Sequence, residues 1–245
     1  MNQRLNKEVV YIKAIKEVFD NVEYYDFKND FIFDYIFNSN KIENNNLSKK
    51  DIIELMNNKK IKKNTDLIQI FETYNHFRAF NYVLENALFK RDLSEVMVKD
   101  IHQILMENII NGGIYRKEEV YISGSDVPLK SGDEMYNQLK DFFEKIKTIT
   151  SPIKLAAYTH AEFVRIHPFI DGNGRLSRLL MNYQLIKNDL LPIVIDSNDK
   201  KLYFNSLEEY SKEGNIRPIE NLILINEKLQ VNKLIDFENK KIKKR

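Results

Sequence analysis

The sequence predicts an all-α protein, mainly helical, with one small β-hairpin. Three observations lead there. Six of the seven glycines lie between positions 112 and 174, so backbone freedom is concentrated in one region and the rest of the 245 residues reads as helix. Several segments place apolar residues at helical spacing. Only one stretch, Glu119-Val120-Tyr121-Ile122-Ser123, alternates and is rich in β-formers.

Taken in order, the N-terminal Met1–Glu8 runs into an amphipathic stretch with Lys13, Lys16 and Glu17. Leu93 to Ile110 sets Met97, Ile101, Ile104 and Leu105 on one helical face, and Gly112-Gly113 follows as a stop signal. Those glycines and Gly124 bracket a short hairpin over roughly Ile114 to Ser125. Ser131-Gly132-Asp133-Glu134 has the capping-box pattern and opens a helix that buries Met135, Leu139, Phe142, Phe143 and Ile146. Ser151-Pro152 supplies an N-cap and a proline at the first helical position. That helix is expected to end near Ile166, because Pro168 disfavours helical geometry at His167. The next begins near Gly174, carries Leu176, Leu179, Leu180 and Tyr183, and is ended by Leu190-Leu191-Pro192-Ile193. The basic run Lys240–Arg245 reads as a solvated helix end.

Composition narrows the functional classes. Charged residues make up 30% but nearly cancel at a net +2, which gives no electrostatic case for nucleic acid. There is no cysteine, so disulfides and cysteine-bound zinc are excluded. No apolar run approaches the ~20 residues of a membrane span, and no signal peptide is legible. The expected setting is cytoplasmic.

The residues from 167 to 178 carry the chemistry. Gly172 and Gly174 let backbone approach a ligand, and a helix beginning there points free N–H groups at the loop, an anion site. Arg175, Arg178 and Asn182 share one helical face. Asp171 is a hard oxygen ligand suited to Mg²⁺. His167 can take a proton near neutrality. Together these describe a phosphate-transfer site. A calcium loop starting at Asp171 fails, since its twelfth position is Asn182 and its sixth is not glycine. A phosphate-binding Walker loop fails for want of a lysine after the glycines. The remaining plain reading is a glycine-rich connection with an exposed histidine, which the combined residue types argue against.

The string His167-Pro168-Phe169-Ile170-Asp171-Gly172-Asn173-Gly174-Arg175, completed by Arg178, resembles the full signature of the Fic domain family of AMP-transferases. The flanking Ala161–Ile166 and Leu179–Asn182 read the same way, and the likeness extends over about residues 30 to 225. The resemblance implies a mainly helical Fic fold and protein AMP transfer, with ATP as substrate and Mg²⁺ as cofactor. It implies that His167 is the general base, that Phe169 anchors the loop and that Asp171 holds the metal. Gly172, Asn173 and Gly174 would form the anion hole, with Arg175 and Arg178 on the distal phosphates. Lys201–Leu207 resembles a family segment beside the nucleotide, which would put Tyr203 near the base.

Ser39-Asn40-Lys41-Ile42-Glu43-Asn44 matches the family's inhibitory motif, Ser/Thr-x-x-x-Glu-Gly/Asn. Ser39 and Glu43 would share a helix face. By resemblance Glu43 pairs with Arg178, restraining transfer in cis or positioning water to remove AMP; the sequence leaves both open. The hairpin looks like the family's flap, which would hold a target through Val120, Tyr121 and Ile122 by strand addition. Tyr115, Tyr121 and Ser123 are candidates for self-modification. The expected organisation is an N-terminal helical region over 1–60, a catalytic domain over 61–225 and a basic C-terminal helix or tail over 226–245. Rivals are the use of another nucleotide or phosphodiester donor and a nucleotide-sensing module without turnover; among partners, a second copy in a homo-oligomer stays open. His160 reads as a packed or pocket-lining residue; His76 and His102 carry no expected role.

Overall fold

A computed structural model describes residues 17–19, 21–117 and 129–244. Helix α1 (Tyr25–Ile42) leads into α2 (Lys49–Asn58), where Ser48 and Asp51 form a reciprocal capping box. Helix α3 (Leu67–Leu88) starts at Asp66, whose carboxylate accepts from the Ile68 N–H. Helix α4 (Glu95–Met106) starts at Ser94, which caps Met97. It ends earlier than the glycines suggested, because Glu107 turns into extended backbone at φ −56°, ψ 128°.

Helix α5 (Gly132–Ile146) buries Met135, Leu139, Phe142 and Ile146 as its spacing predicts, while Phe143, expected on the same face, is only partly buried. Its expected capping box does not form. Gly132 takes a left-handed φ of 58°, which turns Ser131 away, and the serine makes no cap bond. Helix α6 (Pro152–Ile166) has proline in its first turn, and Ser151 again makes no side-chain cap. Helix α7 (Asn173–Lys187) is buried on every side: Leu176, Leu179, Leu180 and Tyr183 are enclosed, and so are Arg175, Arg178 and Asn182. A helix enclosed all round must find partners for each of its polar side chains. Helices α8 (Lys200–Glu213) and α9 (Arg217–Lys244) complete the fold.

Two apolar clusters hold these elements. The larger gathers Phe31, Tyr35 and Ile36 of α1 with Phe80 of α3, Phe142 of α5, Phe163 of α6, Leu180 of α7 and Leu234 of α9. The smaller joins Ile42, Ala157, Ala161, Met181, Ile193, Tyr203 and Ile223. Helix α1 thus shares the larger core with α3, α5, α6, α7 and α9. Helix α9 runs unbroken through positions 225 and 226.

Most of the expected β-hairpin, from 118 onward, lies outside the described residues. No strand occurs among the described residues; 114–117 are irregular and Leu129 makes an isolated bridge. Val120, Tyr121, Ile122 and Ser123 lie outside the described residues. Among the described residues no helix is long and apolar enough to cross a membrane.

Candidate functional site

The α6–α7 connection is built by its own sequence. Pro168 keeps His167 out of helical geometry, and His167 takes a left-handed φ of 51° while its N–H still bonds Phe163 O at 3.0 Å. Asn173 then closes the loop in both directions: its amide oxygen accepts from Phe169 N at 3.0 Å, and its Nδ2 donates to Phe169 O at 2.8 Å. Phe169 is fully buried, stacked on His102 at 3.6 Å and packed beside Tyr115 and Phe163. Gly172 is the left-handed N-cap at φ 77°, so the first N–H groups of α7 open toward the loop without carbonyl partners inside the helix.

The His167 ring sits with Nδ1 3.2 Å from Val164 O. A carbonyl only accepts, so Nδ1 carries the proton and Nε2 is left with its lone pair. Burial lowers the imidazole's pKa below its usual value; Arg116 adds to this, while the Val164 carbonyl, Glu43 and Asp171 oppose it. Asp171 has its side chain 60% exposed, with Oδ1 accepting from Gly172 N at 2.6 Å and Oδ2 3.6 Å from Arg175. The described residues hold no group of three or more histidine and acidic side chains able to bind a metal by themselves.

Glu43 meets Arg178. The Arg178 Nη2 donates to Glu43 Oε1 at 2.6 Å and to Ser39 O at 3.1 Å, and its Nε donates to Ser39 Oγ at 2.8 Å. The carboxylate also lies against Gly174, where an added methyl would overlap it. Burial alone would raise the Glu43 pKa; Arg178 outweighs it, with help from Arg175 and Lys200, and holds the carboxyl below its usual value. Tyr203 is buried beneath, its hydroxyl 3.4 Å from Arg178 Nη1 and 3.0 Å from His160 Nε2.

Two other residues of the expected phosphate face are occupied elsewhere. Arg175 is enclosed and paired with Glu72 at 3.1 Å. The Asn182 amide brackets Ile193, donating to its carbonyl at 3.0 Å and accepting from its N–H at 2.8 Å, which fixes the segment after α7.

Sequence reading passed over four participants. His102 accepts from Gly113 N at 2.8 Å and therefore donates through Nε2 to Asp171 O at 3.0 Å, supporting the loop from below. Glu72 also accepts from Asn45 Nδ2 at 2.9 Å, linking the segment that follows α1 to α3. His76 reaches Asn40 Oδ1 at 2.8 Å. Arg116 gathers carbonyls around His167. Single buried polar residues have no periodic signature; only Arg116, three residues after the Gly112-Gly113 pair, stood near a legible feature.

Residues 92–185 match the Fic/DOC family. This stretch is a Fic domain. The protein adenylyltransferase Fic of Drosophila erecta is 30% identical over 199 residues, covering 78% of this chain and 39% of that protein. The protein of the same name from Drosophila persimilis is 29% identical over 198 residues, covering 78% and 38%. The chain thus spans under two-fifths of the length of these curated relatives. A Fic domain containing signaling protein from Bacteroides thetaiotaomicron has the same fold, with a TM-score of 0.81 at 24% identity over 93% of this chain and 96% of that one. Fic-1 from C. elegans superposes with a TM-score of 0.79 at 21% identity, covering 94% and 72%. In this chain the match begins just ahead of α4 and ends within α7, so Glu43, the C-cap of α1, and Glu72, on α3, contact it from outside the matched stretch.

Proposed function

We propose that this Fic domain transfers AMP from ATP to a hydroxyl side chain of a target protein, and that Glu43 restrains the reaction. One observation carries the reading: the Glu43 carboxylate lies over the start of α7, between Gly174 and Arg178, where an anion would be held. The names of the curated relatives support the choice of donor.

In the productive arrangement His167 Nε2 takes the proton of the target hydroxyl. Its oxygen forms a bond to the α-phosphorus, the bond from that phosphorus to the β-bridging oxygen breaks, and pyrophosphate leaves. The open N–H groups at the start of α7 hold phosphate oxygens, and Arg178, once Glu43 yields, holds the terminal phosphate. Tyr203 acts through Arg178 by fixing its guanidinium. Asp171 fits Mg²⁺, an ion commonly held by one or two carboxylates together with substrate phosphates. When bound, the ion neutralises charge on the leaving group. The target would dock by strand addition at Val120 to Ile122.

A second reading keeps the same site and reverses the chemistry, with Glu43 orienting water to remove AMP. It draws on the Glu43 side chain, which remains 35% exposed with only Oε1 engaged by Arg178.

The test incubates the Glu43→Gly chain and its Glu43→Gly, His167→Ala counterpart with labelled ATP and lysate. Label on protein from the first and none from the second supports transfer through His167. Equal labelling by both would end the proposal, and label removal from a premodified target by the Glu43-containing chain would favour the second reading.

A further inference from the structure

Arg116 is 1% exposed, a cation enclosed in the protein interior. Its Nε donates to His167 O at 2.7 Å, and its Nη2 donates to Lys130 O at 2.5 Å and Ile166 O at 3.3 Å. Its Nη1 lies 3.5 Å from Leu129 O, and its own backbone N–H donates to Pro168 O at 2.9 Å. One residue therefore engages the backbone of three consecutive loop positions, 166 to 168, and ties them to 129–130.

We propose that Arg116 is a positioning residue for His167, setting the place of the histidine backbone from which the base projects. The proposal rests on the reading of His167 as the base of AMP transfer. The physical case is local. The last carbonyls of α6 have no donors within the helix, and a cation at that end is favoured by the helix dipole. His167 sits in a left-handed conformation that a non-glycine residue keeps only when its surroundings enforce it. The His167 ring is oriented by Val164 and its backbone by Arg116, so the two contacts together fix where Nε2 lies. A guanidinium presents several donors in one plane and meets these carbonyls at once; an ammonium cannot reproduce that fork. The charges facing the imidazole are Arg116, Glu43 and Asp171, and Arg116 helps keep it neutral.

The test compares Arg116→Gln and Arg116→Lys, each made in the Glu43→Gly chain. AMP-transfer kcat and the KM for ATP are measured, and the imidazole NMR signal of His167, one of four histidines, is assigned through His167→Ala. The expected result is a fall in kcat of about ten- to a hundredfold with KM for ATP little changed, and a displaced His167 signal. Arg116→Lys should recover only part of the rate. Wild-type kcat together with an unmoved signal in either folded variant overturns the proposal, and so does unfolding of both, which would make Arg116 a fold element alone. If no form transfers AMP, the functional reading fails and the NMR signal still decides the positioning claim.

Discussion

Glu43 and Arg178, 135 residues apart in sequence, meet at 2.6 Å over the first turn of α7. The contact joins a helix outside the Fic domain to a cation inside it. It also places a carboxylate beside Gly174, on the ground where the proposed reading puts ATP phosphates.

Glu43→Gly should raise AMP transfer by about tenfold or more, since phosphates free to align reach the in-line geometry that misplacement denies. Labelling with radioactive ATP at matched Mg²⁺ measures it. Unchanged labelling would remove Glu43 as a brake.

The Glu43 carboxyl has its folded pKa held below its usual 4.5. A depressed carboxylate contributes stability that is complete above the unfolded value and lost as pH falls through the folded one. The melting-temperature gap between the chain and Glu43→Gln should therefore be constant through neutral pH and shrink only below about 4.5. Thermal melts across that range give the answer; a gap closing near neutrality would contradict the pairing.

His167 must be neutral to accept a proton, and its pKa is lowered by burial from 6.5. In the Glu43→Gly chain, kcat/KM should rise with pH along an acid limb centred below 6.5 and be flat at neutrality. A limb centred above that value would show a base charged in the folded state, against the buried geometry.

Gly172→Ala should destabilise the chain by about 2–4 kcal/mol, combining left-handed strain with overlap of the Met106 methyl group. Gly132→Ala is the control, because Gly132 has φ 58° but nothing within 4 Å of an added methyl, and it should cost only about 1 kcal/mol. Urea unfolding compares the two. Equal losses would mean that strain alone acts at Gly172.

Much of this was legible in the sequence, for a physical reason. The loop from His167 to Arg178 is contiguous, so Pro168, Gly172 and the helix start announce themselves by spacing. Ser39 and Glu43 stand out the same way, as a short motif, and both side chains meet Arg178. What escaped depends on contacts between distant positions: His102 under Asp171, Glu72 on Arg175 and Arg116 on His167 are each one polar residue in an otherwise ordinary pattern. Asn173 illustrates the limit within the motif itself. Its position was plain, but that its side chain closes the loop onto Phe169 appears only in three dimensions. The cap at Ser131 was misread because the sequence does not reveal that Gly132 adopts positive φ.

Arg178 is 1% exposed, and the helix that supplies its counter-charge is woven into the core through Phe31, Tyr35 and Ile36. Stripping away that negative charge with nothing in its stead would strand a cation in low-dielectric surroundings, at a cost of several kcal/mol. Under the proposed reading, release of the brake is an exchange of counter-ions in situ, a phosphate taking the place of one glutamate side chain while α1 keeps its place in the core.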